Sequence, residues 1–132
     1  MKLLIVALDA VLPAEVADAE VLVVAPALNS RLRHWLSDDD AARRRAAEQV
    51  AACVEQLERR GVHAAGRVGD ADPLQAIADA LAMFPVDEIV IAAESSAQLA
   101  DELVARARAR FALPVVRADT AARGTAITQL AA

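Results

Sequence analysis

The segments Lys2–Leu8, Val21–Ala25 and Asp87–Ala93 carry near-continuous runs of Val, Leu and Ile, with Ile89, Val90 and Ile91 at the centre of the last. Runs without polar alternation suit parallel strands buried on both faces. Val62–Val68 differs: Val62, Ala64, Gly66 and Val68 alternate with His63, Ala65 and Arg67, the pattern of a more exposed edge. Leu113–Arg117 is short and has Pro114 near its start, which also fits an edge strand. Between these runs the apolar spacing changes to three and four. The longest helix is expected from Asp38–Asp40 to about Arg60, stopping before Gly61, with Ala46, Val50, Cys53, Val54 and Leu57 as its apolar stripe. Its acids sit at the positive end, Arg59 and Arg60 in the last turn, and Asp39–Arg43 and Asp40–Arg44 are spaced as helical ion pairs. A second helix is capped by Asp72, starts at Pro73, buries Leu74, Ile77, Leu81 and Phe84, and ends at Pro85. A third spans about Ala97–Phe111 and buries Leu99, Leu103, Ala107 and Phe111, and a short one around Pro13–Ala19 joins the first two strands.

The order β-α-β-α-β-α-β-α-β predicts an α/β fold, a three-layer α/β/α sandwich around a five-stranded parallel sheet. Strands 1, 2 and 4 read as central and strands 3 and 5 as edges, which favours the order 3-2-1-4-5. The order 2-1-3-4-5 would put the apolar second strand at an edge and the alternating third inside. In the favoured order the chain reverses direction between strands 1 and 4. A ligand would sit in that crevice, between Asp9 and Ala10 on one side and Glu94, Ser95 and Ser96 on the other.

Composition narrows the function classes. The 132 residues suffice for one domain, assigned to residues 1–118, with a C-terminal tail at 119–132. Of the apolar residues, which make up 57% of the chain, 34 are alanine, and aromatics are only 2%. Packing must therefore rest on aliphatic side chains and close alanine-lined contacts. The net charge of -5 argues against a nucleic-acid partner. The first apolar run is too short for a membrane span and lacks the form of a signal peptide, so the expected compartment is the cytoplasm. Arginine outnumbers lysine 13 to 1, a bias associated with GC-rich bacterial genomes.

Five stretches together resemble the universal stress protein family, in particular its short bacterial, UspA-like members. They are Val6-Ala7-Leu8-Asp9, Val21-Leu22-Val23-Val24-Ala25-Pro26, Gly69-Asp70-Ala71-Asp72-Pro73-Leu74-Gln75-Ala76-Ile77, Asp87-Glu88-Ile89-Val90-Ile91 and Ala112-Leu113-Pro114-Val115-Val116. Their order and spacing, over roughly residues 2 to 118, carry more weight than any one of them. The resemblance implies a Rossmann-like fold, a role in the stress response and a homodimer formed near strand 5. It does not carry over ATP binding. Nucleotide-binding members have a glycine-rich stretch, G-x2-G-x9-G-[ST], after strand 4, whose backbone N–H groups cradle phosphates. Here no glycine occurs between Gly69 and Gly124, the corresponding stretch is Ala92-Ala93-Glu94-Ser95-Ser96-Ala97-Gln98-Leu99, and Glu94 would repel a phosphate. No cofactor is therefore expected, and Asp9 is the one position matching the family's adenine-side contacts.

The segment Pro26–Asp40 is the most unusual, with Asn29, Ser30, Arg31, Arg33, His34 and Trp35 ahead of the acidic run. It leaves strand 2 on the ligand-binding rim, where Arg31, Arg33 and His34 near a helix start could hold an anion. The plainer alternative pairs Arg31 and Arg33 with Asp38–Asp40 and lays Trp35 over the sheet end. Ser95 and Ser96 could donate to a ligand in the crevice, or cap the last helix, Ser96 being the natural N-cap. Asp9, Asp70, Ser95 and Arg117 lie near strand ends, a placement that distantly resembles a receiver domain, which uses an acidic cluster for Mg²⁺ and an aspartate that accepts phosphate. Paired acids after strand 1 and a lysine near strand 5 are missing, so Asp70 and Asp72 read as turn and cap residues. Cys53 reads as a buried structural thiol, and His34 and His63 have no metal or triad spacing. Arg106, Arg108 and Arg110 spread around their helix as a solvated surface, and Thr125–Leu130 could add a strand or contact a partner. These readings favour a binding or regulatory homodimer without enzymatic activity. The alternative is a small-ligand, nucleotide or anion binder that uses Asp9, Asn29, Arg31, Arg33, His34, Ser95 and Ser96.

Overall fold

The structure, a computed structural model, describes residues 1–9, 19–28, 39–93 and 97–118. The elements are β1 (Lys2–Ala7), β2 (Glu20–Pro26), α1 (Asp39–Arg59), β3 (His63–Gly69), α2 (Pro73–Met83), β4 (Glu88–Ala92), α3 (Ala97–Arg110) and β5 (Val115–Ala118). The five strands form one all-parallel sheet in the order β3-β2-β1-β4-β5, the order that the strand patterns favour. The expected helix around Pro13–Ala19 and the possible strand at Thr125–Leu130 fall mostly or wholly outside the described residues.

The continuous apolar runs reflect burial on both sides. In β1, Leu3, Ile5 and Ala7 face one cluster with Val21, Val23 and Ala25 of β2, sealed by Ala42, Ala46, Val50, Cys53 and Leu57 of α1. Leu4, Val6, Leu22, Val24, Ile89 and Ile91 face the other cluster, under α2 and α3. Right-handed crossovers account for this division. The chain moves outward from β1 through β2 to β3 with α1 on one face. It then returns past β1 to β4 and β5, which puts α2 and α3 on the opposite face.

The helices meet the sheet on smaller side chains than their stripes suggest. The buried residues of α2 are Leu74, Ala76, Ile77 and Ala80, while Leu81 and Phe84 are only half-buried. In α3 they are Ala100, Leu103, Val104 and Ala107, with Leu99 and Phe111 half-buried. Alanines make up half of these buried positions, so the helices lie close to the strands, and Leu81, Phe84, Leu99 and Phe111 pack at the margins. Strand β5 starts at Val115, two residues later than the apolar run. Pro114 cannot donate, but its carbonyl accepts from the Ile89 N–H (2.9 Å), and Leu113 packs against the α2/α3-side core.

Gly66 marks the closest approach of helix to sheet. A Cβ there would lie 2.1 Å from Cγ1 of Val50 and 2.9 Å from Cγ2 of Val54, both on α1. Gly66→Ala is therefore expected to lower unfolding stability by about 1–3 kcal/mol, through forced displacement of α1. Because the closest overlap is with Val50, Val50→Ala should relieve part of it. The double variant is expected to lose less in urea denaturation than the sum of the two single losses.

Candidate functional site

The crevice expected between strands 1 and 4 lies at the carboxyl end of the sheet, where the structure places one of the seven candidate residues. Asp9 is half-buried just beyond β1, and the preceding Leu8 N–H donates to the Ala92 carbonyl (3.0 Å), which holds the ends of β1 and β4 together. Asn29, Arg31, Arg33, His34, Ser95 and Ser96 lie outside the described residues, as do Glu94 and Trp35.

Elsewhere on the rim, local chemistry accounts for the polar side chains. Asp70 Oδ1 accepts from the Asp72 N–H (2.9 Å), and Asp72 Oδ1 accepts from the Leu74 N–H (3.0 Å) at the start of α2. Asp72 has an extended backbone (φ -84°, ψ 115°), and Pro73 follows in the first turn. Both acids thus act as turn and cap groups. At the end of β3 a Cβ on Gly69 would lie 2.6 Å from Cβ of Ala76, so α2 starts tightly against the strand. Arg117, near the end of β5, forms an ion pair with Asp101 of α3 (2.7 Å) and belongs to the surface beside β5. Cys53 is buried against the sheet, and desolvation raises its thiol pKa above the ordinary value, as a structural thiol requires. Among the described residues, no three His, Cys, Asp or Glu side chains form a group that could hold a metal ion.

The opposite, amino end of the sheet carries a polar row and two shallow clefts. Lys2, Glu20 and His63 each begin a strand, and the register places Lys2 beside Glu20 and Glu20 beside His63. One cleft, of about 340 Å³, is lined by Glu20, Val21, His63, Ala64, Ala65 and Phe84. The other, of about 400 Å³, is lined by Met1, Lys2, Ala19, Glu20, Gly61 and His63. The Lys2 ammonium stands 5.6 Å from the Phe84 ring centre. Asp87 clamps the start of β1: its Oδ2 accepts from the Lys2 N–H (2.8 Å), and its own N–H donates to the Lys2 carbonyl (2.8 Å). None of these polar strand heads stood out along the chain, because each is a single charged or polar residue before an apolar run. Only the pairing of the strands puts them side by side.

Glu88 heads β4 and is the one buried charged residue, 6% exposed, among those described. Desolvation raises its pKa above the ordinary carboxylate value. Comparison of the chain with models of known families gives no match, and comparison with curated proteins gives none either.

The raised pKa gives Glu88 a definite sign in the stability of the fold. Protonated Glu88 fits the native state better than the ionised form. Its contribution is therefore fully present below the unfolded-state pKa and is lost as pH rises through the folded-state pKa. Glu88→Gln, which stays neutral, is expected to remove that loss. Thermal melts across the acid-to-neutral range should show the variant gaining on the wild type as pH rises.

Proposed function

We propose that the chain is a binding or regulatory protein of the universal stress protein type, without a phosphate-cradling loop and without catalytic activity. It works as a homodimer in the cytoplasm. The observation that carries this reading is the lack of any glycine between Gly69 and Gly124, set against a parallel sheet of order 3-2-1-4-5. In such a sheet the segment after β4 borders the crevice, and that is where backbone N–H groups would have to approach a phosphate closely. Here it begins with Ala93 and the acidic Glu94. A Cβ at each position keeps phosphate oxygens from the backbone, and the carboxylate adds like-charge repulsion. The rim residues Asp70 and Asp72 are occupied with the turn and cap of α2, which supports a binding surface more than a reaction centre.

Thermal shift measurements with millimolar ATP, AMP or inorganic phosphate are expected to leave the melting temperature unchanged. A ligand that binds the native state must stabilise it. A rise of several degrees with any of the three would overturn this reading and favour a small-ligand, nucleotide or anion binder that uses Asp9, Asn29, Arg31, Arg33, His34, Ser95 and Ser96. Light scattering is expected to give twice the chain mass.

A further inference from the structure

The two edges of the sheet differ in what they expose. Strand β5 has four residues, of which Val115, Val116 and Ala118 are buried, and Arg117 is tied to Asp101. Strand β3 has seven residues, pairs with β2 alone among the described strands, and leaves His63, Ala65 and Gly66 exposed. It contains no proline, and its side chains are mostly small. Proteins generally cover, shorten or charge such an edge, because its free backbone groups template pairing with another strand.

The direction of those groups selects one pairing. The Gly69 carbonyl accepts from the Ala27 N–H (3.2 Å), so the backbone groups of Gly69 point toward the β2 side. By strand alternation those of Arg67, Ala65 and His63 do too, and those of Ala64, Gly66 and Val68 point outward. An antiparallel copy of β3 centred on Gly66 sets Gly66 opposite Gly66 and Ala64 opposite Val68. Every outward N–H and C=O then finds a partner. The pairs between them are Ala65 with Arg67 and His63 with Gly69, so no like charges stand directly opposite.

Helix α1 obeys the same two-fold axis. Gly66 lies beneath Val50 and Val54, which puts the axis near the middle of α1. The flank of α1 on the Val54 side carries Arg43, Ala47 and Glu58, all exposed, with Val54 half-buried. Two antiparallel copies of α1 related through the point between Val50 and Ala51 bring Arg43 against Glu58 of the second copy and Ala47 against Val54. Small residues at the centre allow the close helix spacing, about 8–10 Å, that adjacent helices on one sheet require. On the other face Met83, 71% exposed, lies beside Arg67, its sulfur accepting from Nη1 (2.6 Å), close to the same axis.

We infer that a second copy of this chain docks on the β3 edge, joining two sheets into one of ten strands, with Arg43 and Glu58 paired across the two α1 helices. The inference rests on the homodimer of the preceding reading but places it at β3, whereas the family resemblance implies strand 5. Ala64→Pro removes one outward N–H and no ladder bond to β2, a position where an edge strand tolerates proline. Arg43→Glu sets like charges against Glu58 on both sides of the axis, and Arg43→Glu with Glu58→Arg restores opposite charges. In light scattering over a dilution series, the wild type is expected to be a dimer and Ala64→Pro a folded monomer by circular dichroism. Arg43→Glu is expected to weaken the dimer by about tenfold or more, and the double variant to recover it. A wild-type monomer at high concentration would overturn both this inference and the homodimer reading. A dimer unaffected by Arg43→Glu, whatever the state of Ala64→Pro, would overturn only the β3 placement. So would a folded double variant that stays dissociated.

Discussion

Strand β1 presents apolar side chains to both of its faces from Leu3 to Ala7, all of them nearly sealed from water. A strand with no polar face cannot lie at the surface, so it needs a strand on each side and a helix layer above and below. Its neighbours β2 and β4 meet the first requirement and are themselves apolar on both faces. Parallel pairing then obliges the chain to cross over between strands, and the crossovers supply the helices. The three-layer arrangement is thus a consequence of what β1 must bury.

Alanine sets how closely those layers approach. The buried positions of α1, α2 and α3 include Ala42, Ala46, Ala76, Ala80, Ala100 and Ala107. A core with so few aromatic rings gains little from large interdigitating side chains, so it depends on short distances between helix and strand. The same logic explains Gly66 and Gly69. Each lies where a helix has come so near that even a methyl group would overlap a neighbour. Close packing also leaves little room inside the fold. The two clefts described lie at the amino ends of β1, β2 and β3, outside the core.

The polar groups sort by position. At the carboxyl rim, Asp70 and Asp72 satisfy backbone donors of the turn into α2. At the amino end, Lys2, Glu20, His63 and Glu88 head four strands, and Asp87 ties the first of them to β4. Glu88 is the costly member, because the strand that makes it bury its side chain also disfavours its charge. Along the β3 edge, by contrast, the backbone groups of Ala64, Gly66 and Val68 have no strand beyond them among those described.

Sheet order was legible in the sequence for a physical reason: burial on both faces leaves unbroken apolar runs, and partial exposure leaves alternation. Lys2–Leu8, Val21–Ala25 and Asp87–Ala93 read as central, and Val62–Val68 as an edge, from the pattern alone. Caps and stops were legible too, since Asp72-Pro73 acts through its own backbone and needs no distant partner. The candidate site was legible only as a place, the crevice between strands 1 and 4. Of its residues Asp9 alone is described, half-buried at that end of β1. Which alanines touch the sheet, why Gly66 must lack a side chain, and the row Lys2–Glu20–His63 were decided by tertiary structure. Each depends on a distance between elements far apart in the chain, and a local pattern of polar and apolar residues carries no record of that distance.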